Sequence, residues 1–211
     1  MSPAQTAKRG AGRPAGDLNG KRLTEKQSAR RQSVIKTAME LAAEGGYEAV
    51  QMRDVAAKAR VALGTLYRYF PSKDHLLVAA LGEWADEMQN RAAQRPPRGG
   101  TPAERVADVL RRAARAMERA PKLTAALATA LTNLSFDDPA SAGYARNVYD
   151  SMAVTIERAM EDGARVEEHD TVIRILGHVW LAALVATTRG WESSGQMAED
   201  LADAARLLIR T

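Results

Sequence analysis

Apolar residues recur every three or four positions along most of the 211-residue chain. This spacing gives an α-helix one buried face, so the pattern predicts a series of amphipathic helices. The first stripe predicts a helix from Thr24 or Glu25 to Glu44, ended by the Gly45-Gly46 pair. Ser72 is a suitable N-cap for a helix over 73–93. The pattern therefore favours an all-α fold.

The second half of the chain carries the same signals. Thr101 and Glu104 form a predicted capping box, with Pro102 at the first helical position. Further stripes predict long helices over 139–161 and 196–210. The segment 171–188 is the most apolar, and we expect it to be buried on most sides. Because Arg174 and His178 interrupt it, its uninterrupted apolar run is predicted to be too short to cross a bilayer.

Residues 51–73 read as a helix-turn-helix, the unit that places its second helix in a DNA major groove. Two short helices are predicted over 52–59 and 63–70, and Pro71 stops the second. Val61 lies in the intervening turn and is apolar enough to fill the gap between two crossing helices. Leu66 and Phe70 are four positions apart, so we expect both to face the core.

The second short helix also carries side chains suited to DNA. Small residues at its start let a DNA backbone approach, while hydroxyls and a guanidinium suit phosphates and base edges. An arginine before it and a lysine after it are placed to hold phosphates. A plain amphipathic helix with an aromatic end is the alternative, although two tyrosines and an arginine are a costly choice for one. The predicted DNA contacts are Arg53, Leu63, Gly64, Thr65, Tyr67, Arg68, Tyr69 and Lys73.

Charge is distributed unevenly along the chain. The net charge is +4, yet residues 1–31 hold eight Lys and Arg against two acidic residues. A basic front end indicates a polyanionic partner, with a solubilising tail as the alternative. Residues 1–22 are predicted to be a disordered basic arm in the absence of DNA, in which Gly12-Arg13-Pro14 resembles the core of a minor-groove hook.

Composition and spacing give no support for an enzyme. The chain has no cysteine, no phosphate loop and no Gly-rich dinucleotide turn. Its three histidines are far apart and lack metal-type spacing, and His178 is expected to be a core or pocket residue. We therefore expect no catalytic residue, no metal and no cofactor. The polar N-terminus lacks an apolar signal core, which predicts a cytoplasmic protein.

The run VALGTLYRYFPSKDHLL, preceded by Met52-Arg53-Asp54-Val55-Ala56, resembles the DNA-binding domain of TetR-type transcriptional repressors. The resemblance implies an all-α homodimer with an N-terminal three-helix DNA-binding domain (23–71) and a C-terminal helical ligand-binding and dimerisation domain (72–211). It also implies that the last two long helices pair with their copies, and that a small molecule releases the operator. Two positions depart from the family: Arg60 stands where glycine is usual, and Ala62 stands where serine usually caps the recognition helix.

The sequence of the C-terminal domain is less informative about its ligand. Its large apolar and methionine side chains suit a cavity for a bulky hydrophobe, although for any single one of them an ordinary core position is the favoured interpretation. The candidate ligand residues are Trp84, Met88, Met117, Leu127, Leu131, Met152, Ile156, Trp180 and Leu184.

A denser resemblance narrows the ligand class. The run from Gly45 to Leu81, with HVWLAALVATTR and ARLLIR near the C-terminus, resembles the KstR branch, the repressors of cholesterol catabolism. This implies control of sterol or lipid catabolism genes and a steroid-derived acyl-CoA as effector. Residues 96–100 and the cluster Arg111, Arg112 and Arg115 could hold CoA phosphates, or could form a solvated helix face. The alternatives are a multidrug or fatty acyl-CoA sensor and a constitutive DNA-architectural protein.

Overall fold

The computed structural model describes residues 23–134, 139–160, 166–193 and 195–209. Over these ranges the chain is helical and contains no strand, which confirms the predicted all-α class. A short 3₁₀ helix, Tyr47–Ala49, follows the first α-helix. The α-helices are α1 (Glu25–Gly45), α2 (Met52–Lys58), α3 (Leu63–Tyr69), α4 (Lys73–Gln94), α5 (Pro102–Glu118), α6 (Pro121–Asn133), α7 (Pro139–Met160), α8 (Val166–Thr188) and α9 (Gln196–Leu208).

The helix ends follow the predicted signals closely. Thr24 caps α1 by accepting a hydrogen bond from the backbone N–H of Gln27 at 3.3 Å, and Gln27 Oε1 accepts from the Thr24 N–H at 2.9 Å. Gly46 follows α1 with a φ of +74°, which confirms the expected glycine stop. The predicted helix ends at Glu161 and Arg210, like the arm at 1–22, lie outside the described residues.

The turn between α2 and α3 has the hydrogen bonding of a Schellman motif. The N–H of Val61 donates to the Ala56 carbonyl at 2.9 Å, and that of Arg60 donates to the Ala57 carbonyl at 3.2 Å. Arg60 sits at the left-handed position of this motif with a φ of 55°. A non-glycine residue there costs about 1 kcal/mol, as anticipated from the departure from the family pattern. Val61 packs against the core, as predicted.

Helix α4 connects the two halves of the protein. Ser72 caps it, accepting from the His75 N–H at 3.4 Å, as predicted. The six consecutive residues from Leu76 to Leu81 are all buried, and α1, α6 and α7 all pack against α4. The N-terminus of α4 therefore adjoins the helix-turn-helix, while its later turns lie in the second half of the fold.

The C-terminal half is built around α5 and its packing against α9. The predicted capping box is present: the Glu104 N–H donates to Thr101 Oγ1 at 3.2 Å, and Glu104 Oε2 accepts from the Thr101 N–H at 3.1 Å. The same carboxylate oxygen also accepts from the N–H of Gly100 at 2.7 Å. These backbone N–H donors hold the pKa of Glu104 below its usual value. Arg105 donates to the carbonyls of Ala159 at 2.8 Å and Met160 at 2.9 Å, which fixes the end of α7 against α5.

Helix α8 differs from its prediction in its burial. The most apolar 18-residue stretch within His169–Thr188 has a mean hydropathy of 1.5, yet only 22% of that stretch is buried, so the segment is not buried on most sides within one chain. Length and composition alone also make it a candidate membrane span, although the stretch includes Arg174. The expectation that its uninterrupted apolar run is too short stays a prediction. Arg174 and His178 lie exposed on this helix.

Candidate nucleic-acid interface

Helix α3 separates its side chains into an inner and an outer face. Leu66 and Phe70 are fully buried, as their spacing predicted. Gly64 and Arg68 are exposed, and Tyr67 is 46% exposed although it is a large aromatic residue. The outer face of α3 thus presents a hydroxyl and a guanidinium to solvent, and both groups can hydrogen-bond to phosphates and base edges.

Tyr69 corrects one of the predicted DNA contacts. It is only 3% exposed, and its ring lies 6.3 Å from that of Phe70. The reason is helical geometry: Tyr69 follows Leu66 by three positions, so both fall on the inner face. Tyr69 instead supports the outer face, since the Arg68 guanidinium lies 5.7 Å from its ring centroid.

Two further candidates are half-buried. Leu63 packs against the hydrophobic core and Thr65 is intermediate in exposure. Both lie in the first turn of α3, where Ala62 provides no side-chain cap. The backbone N–H groups of this turn therefore lack the serine hydroxyl that usually serves them in relatives of this type.

The remaining predicted contacts converge on a recess of about 660 Å³ formed by three elements. Arg53 comes from the first turn of α2, Tyr67 from the end of α3 and Lys73 from the start of α4. The structure thus brings together residues that are up to 20 positions apart. The recess is lined by Gln51, Met52, Arg53, Asp54, Tyr67, Pro71, Ser72 and Lys73.

Gly64 is informative because the fold does not need a glycine there. A Cβ added at this position would meet nothing within 4 Å, and the residue lies within a regular helix. Glycine in such a position costs about 1 kcal/mol relative to alanine. The open space in front of Gly64 therefore suits a partner whose backbone approaches α3 closely.

Lys73 contacts two residues that were not among the predicted site residues. Its ammonium lies 3.7 Å from the ring centroid of Tyr47 and 3.6 Å from Glu48 Oε2. The Tyr47 hydroxyl donates to Asp74 Oδ1 at 2.6 Å, and Asn133 Nδ2 donates to the same hydroxyl at 3.1 Å. Burial, the hydrogen bond to Asp74 and nearby negative charge raise the pKa of Tyr47 to about 12. No local pattern could predict this cluster, because Tyr47 and Asn133 are 86 positions apart.

The nine candidate ligand residues divide into two groups. Met117, Leu127, Ile156 and Leu184 are at most 2% exposed and belong to the packed core. The other five, Trp84, Met88, Leu131, Met152 and Trp180, are only partly buried, and the rings of Trp84 and Trp180 lie 6.4 Å apart. A small pocket of about 40 Å³ between α4, α5 and α7 is lined by other residues, among them Gln89, Val109 and Arg158. The assignment of the nine to a ligand cavity stays a prediction.

The arginine cluster on α5 is engaged within the chain. Arg111 donates to both carboxylate oxygens of Glu199 on α9, each at 3.2 Å, and Arg115 adds a contact at 3.4 Å. These guanidiniums lower the pKa of Glu199. Arg112 pairs with Asp108. The cluster thus links α5 to α9 through Glu199 and forms one ion pair within α5. These contacts favour a solvated helix face over a site for CoA phosphates.

No group of three or more potential metal ligands occurs among the described residues. His178 was expected to be a core or pocket residue, but it lies exposed on the outer face of α8. That face follows from helical spacing, since His178, Leu181 and Ala182 are three and four positions apart and are all exposed.

Comparison with known proteins matches both halves of the chain. Residues 34–80 match the model of "Bacterial regulatory proteins, tetR family", and residues 99–208 match "Tetracyclin repressor-like, C-terminal domain". The chain is 40% identical over 188 residues to the HTH-type transcriptional repressor KstR of Mycolicibacterium smegmatis, covering 89% of this chain and 91% of that protein.

Two solved structures are similar in fold. A TetR transcriptional regulator from Rhodococcus sp. RHA1 has a TM-score of 0.79 at 33% identity, covering 88% of this chain and 98% of that one. Thermus thermophilus FadR, a TetR-family repressor in complex with lauroyl-CoA, has a TM-score of 0.62 at 20% identity, covering 86% and 96%. At that identity, the second likeness concerns the fold alone.

Proposed function

We propose a function from one premise: this chain belongs to the tetR family of bacterial regulatory proteins. It is a transcriptional repressor with a DNA-binding helix-turn-helix and is not an enzyme. Members of this family bind operator DNA and act as dimers.

The operator contact is proposed to be the outer face of α3 with its flanking cations. Arg68 and Tyr67 reach base edges in the major groove, while Arg53 and Lys73 hold phosphates on either side. The observation that carries this proposal is the convergence of Arg53, Tyr67 and Lys73 on one open recess. The basic arm at 1–22 adds positive charge that attracts DNA. The protein is proposed to act in the cytoplasm.

A second copy of the chain is proposed to cover the outer face of α8. Leu181 on α8 is 40% exposed and Leu207 on α9 is 76% exposed, and apolar exposure on two neighbouring helices is typical of an interface. Twofold symmetry then presents two copies of α3 to successive major grooves, about 34–36 Å apart. The operator is accordingly a near-palindrome.

Sedimentation of the wild-type protein tests this dimer. We expect twice the mass of one chain, and a helical monomer for Leu181→Glu, because a carboxylate buried in an apolar interface is costly. Thr132→Ala serves as the control, since its hydroxyl bonds within its own helix at 3.1 Å and 3.0 Å. A wild-type monomer that partitions into lipid vesicles would support the membrane reading of α8 and contradict the dimer.

The releasing ligand is proposed to be a bulky hydrophobe, with a steroid-derived acyl-CoA first among candidates. The support is the 40% identity to a KstR repressor, which favours control of sterol or lipid catabolism genes. The partly buried pair Trp84 and Trp180 joins α4 to α8, so a ligand beside them could tilt α4. A fatty acyl-CoA or a drug-like cation is the second candidate, and a constitutive architectural protein without any ligand is the third.

Calorimetry with a steroid acyl-CoA, a fatty acyl-CoA and a drug-like cation, each with and without operator duplex, decides among them. A releasing ligand must prefer the state that does not bind DNA, so operator must weaken its binding by the same factor. A coupling of about 1–3 kcal/mol is the usual scale. Equal ligand affinity in both conditions would contradict release, and no binding of any candidate would favour the architectural alternative.

A further inference from the structure

Tyr47 lies at the junction between the helix-turn-helix domain and the rest of the protein. Its hydroxyl donates to Asp74 Oδ1 at 2.6 Å, so the 3₁₀ helix is tied to the first turn of α4. Asn133, the last residue of α6, donates to the same hydroxyl at 3.1 Å and to Asp74 at 3.4 Å. With its raised pKa the phenol keeps its proton at neutral pH and remains a donor.

The ring of Tyr47 serves a different neighbour. The Lys73 ammonium lies 3.7 Å from the ring centroid, well within the range of about 6 Å for a cation–π contact. A lysine side chain is long and flexible, and holding it before DNA arrives reduces the conformational entropy lost on binding. Tyr47 therefore contacts two consecutive residues of α4, Lys73 with its ring and Asp74 with its hydroxyl.

Helix α6 touches the DNA-binding half at both of its ends. At its start, Lys122 Nζ donates to the Glu44 carbonyl at the end of α1, at 2.9 Å. At its end, Asn133 joins Tyr47 and Asp74. Between these ends α6 packs on α1, on the 3₁₀ helix and on α4. The position of α6 is thus tied to the segment that carries Tyr47.

We propose that Tyr47 is a positioning residue for operator binding. Its ring holds the Lys73 ammonium toward the phosphate, and its hydroxyl links that placement to Asn133 at the end of α6. The inference rests on the proposed contact between Lys73 and DNA. It adds that the strength of this phosphate contact depends on an uncharged residue and on the position of α6.

The salt dependence of DNA binding tests the role of the ring. The probe is a duplex that the wild-type protein selects from a randomised pool. A plot of log affinity against log salt has a negative slope, and removing one phosphate contact makes it shallower by about 0.9 per chain. We expect this change for Lys73→Ala. Tyr47→Leu removes no charge, yet we expect it to make the slope shallower by a comparable amount. Loss of packing alone would weaken binding without changing the slope.

A double-variant cycle and a matched control complete this test. In the Lys73→Ala background, Tyr47→Leu is expected to cause no further change in the salt slope, since both changes remove the same phosphate contact. Lys58→Ala is the control, because Lys58 pairs with Glu40 at 3.4 Å and lies at the far end of α2. An unchanged slope for Tyr47→Leu, or slope changes that add in the double variant, would overturn the proposal.

The hydroxyl link is tested separately with Tyr47→Phe and Asn133→Ala. Tyr47→Phe keeps the ring and also guards against a Leu variant that fails to fold, so we expect the wild-type slope to remain. Each change should weaken affinity by roughly twofold to tenfold, the effect of one hydrogen bond, and the pair together should weaken it no more than one alone. Thr132→Ala, one position earlier on α6, should leave affinity unchanged. Wild-type affinity in Tyr47→Phe and Asn133→Ala, or multiplied effects, would contradict the link to α6.

These outcomes are distinguishable from failure of the proposed DNA contact. If Lys73→Ala leaves the salt slope unchanged, the phosphate contact itself is wrong, and the positioning role falls with it. If Lys73→Ala makes the slope shallower and Tyr47→Leu does not, only the positioning role is wrong.

Discussion

The DNA-reading surface and the C-terminal half use their side chains in opposite ways. On the outer face of α3, Tyr67 and Arg68 are exposed and Gly64 has open space around it, so these residues contribute little to the fold. In the C-terminal half, Arg111 binds Glu199 and Arg105 fixes the end of α7, so these polar side chains stabilise the packing of the helices. An exposed side chain that the fold does not need indicates contact with a partner. A side chain that already stabilises the fold gives no such indication, even where it also contacts a ligand.

The largest expected effect tests whether Leu127 packs a core or lines a cavity. It is 1% exposed, so Leu127→Ala should lower the free energy of unfolding by about 2–5 kcal/mol if its neighbours are packed. Denaturant unfolding measures this, with Leu131→Ala as the half-buried comparison on the same helix. A loss well below 2 kcal/mol, together with altered ligand affinity, would instead support the predicted cavity.

The next largest effect is expected for substitutions that weaken DNA recognition but leave the free energy of unfolding nearly unchanged. Arg68→Ala and Tyr67→Ala should each weaken binding to the selected duplex by about 1–3 kcal/mol where the side chain meets a base edge. The free energy of unfolding should change by no more than about 0.5 kcal/mol, because both are exposed surface residues. Titration of selected and scrambled duplexes, beside unfolding curves, separates the two. An equal loss on both duplexes would assign these residues to phosphate rather than to sequence.

Arg60 provides a change that should affect the fold without requiring any DNA contact. Arg60→Gly should stabilise the protein by about 1 kcal/mol, since glycine adopts the observed φ of 55° without steric cost. The expected result is a higher midpoint of unfolding with unaltered secondary structure. Arg60→Ala is the control, because it removes the same side chain but keeps the Cβ. Equal midpoints for the glycine and alanine variants would show that backbone strain is absent.

Gly64 offers the smallest and most discriminating change. Gly64→Ala should stabilise the fold by about 0.5–1 kcal/mol, because alanine favours a helix and the added methyl meets nothing within 4 Å. It should also weaken DNA binding, since the methyl stands where the DNA backbone approaches. Thermal unfolding and duplex titration on one preparation measure both. A variant that gains stability and keeps its affinity would place α3 farther from the DNA than proposed.

Local signals were sufficient for the helices. Thr101 and Ser72 cap the helices they were predicted to cap, and the structure shows a left-handed φ at Arg60, the position where the family usually has glycine. Tyr69 was assigned to DNA although its spacing from Leu66 already indicated the core. The Tyr47, Asp74 and Asn133 cluster had no local signal, because it depends on where α6 packs. The cavity is undetermined for a related reason: Leu127 or Ile156 is suited equally to a core and to a pocket wall.

Equilibrium binding of the wild-type protein to its selected duplex and to a scrambled duplex of equal composition tests the central claim most directly. Measured between about 50 and 200 mM salt, affinity for both duplexes should fall steeply as counterions return to the phosphates. The selected duplex should bind at least about 10³-fold more tightly, with one dimer or a pair of dimers on each near-palindromic site. Equal affinity for the two duplexes, or an affinity independent of salt, would contradict the assignment of α3 and its flanking cations to operator recognition.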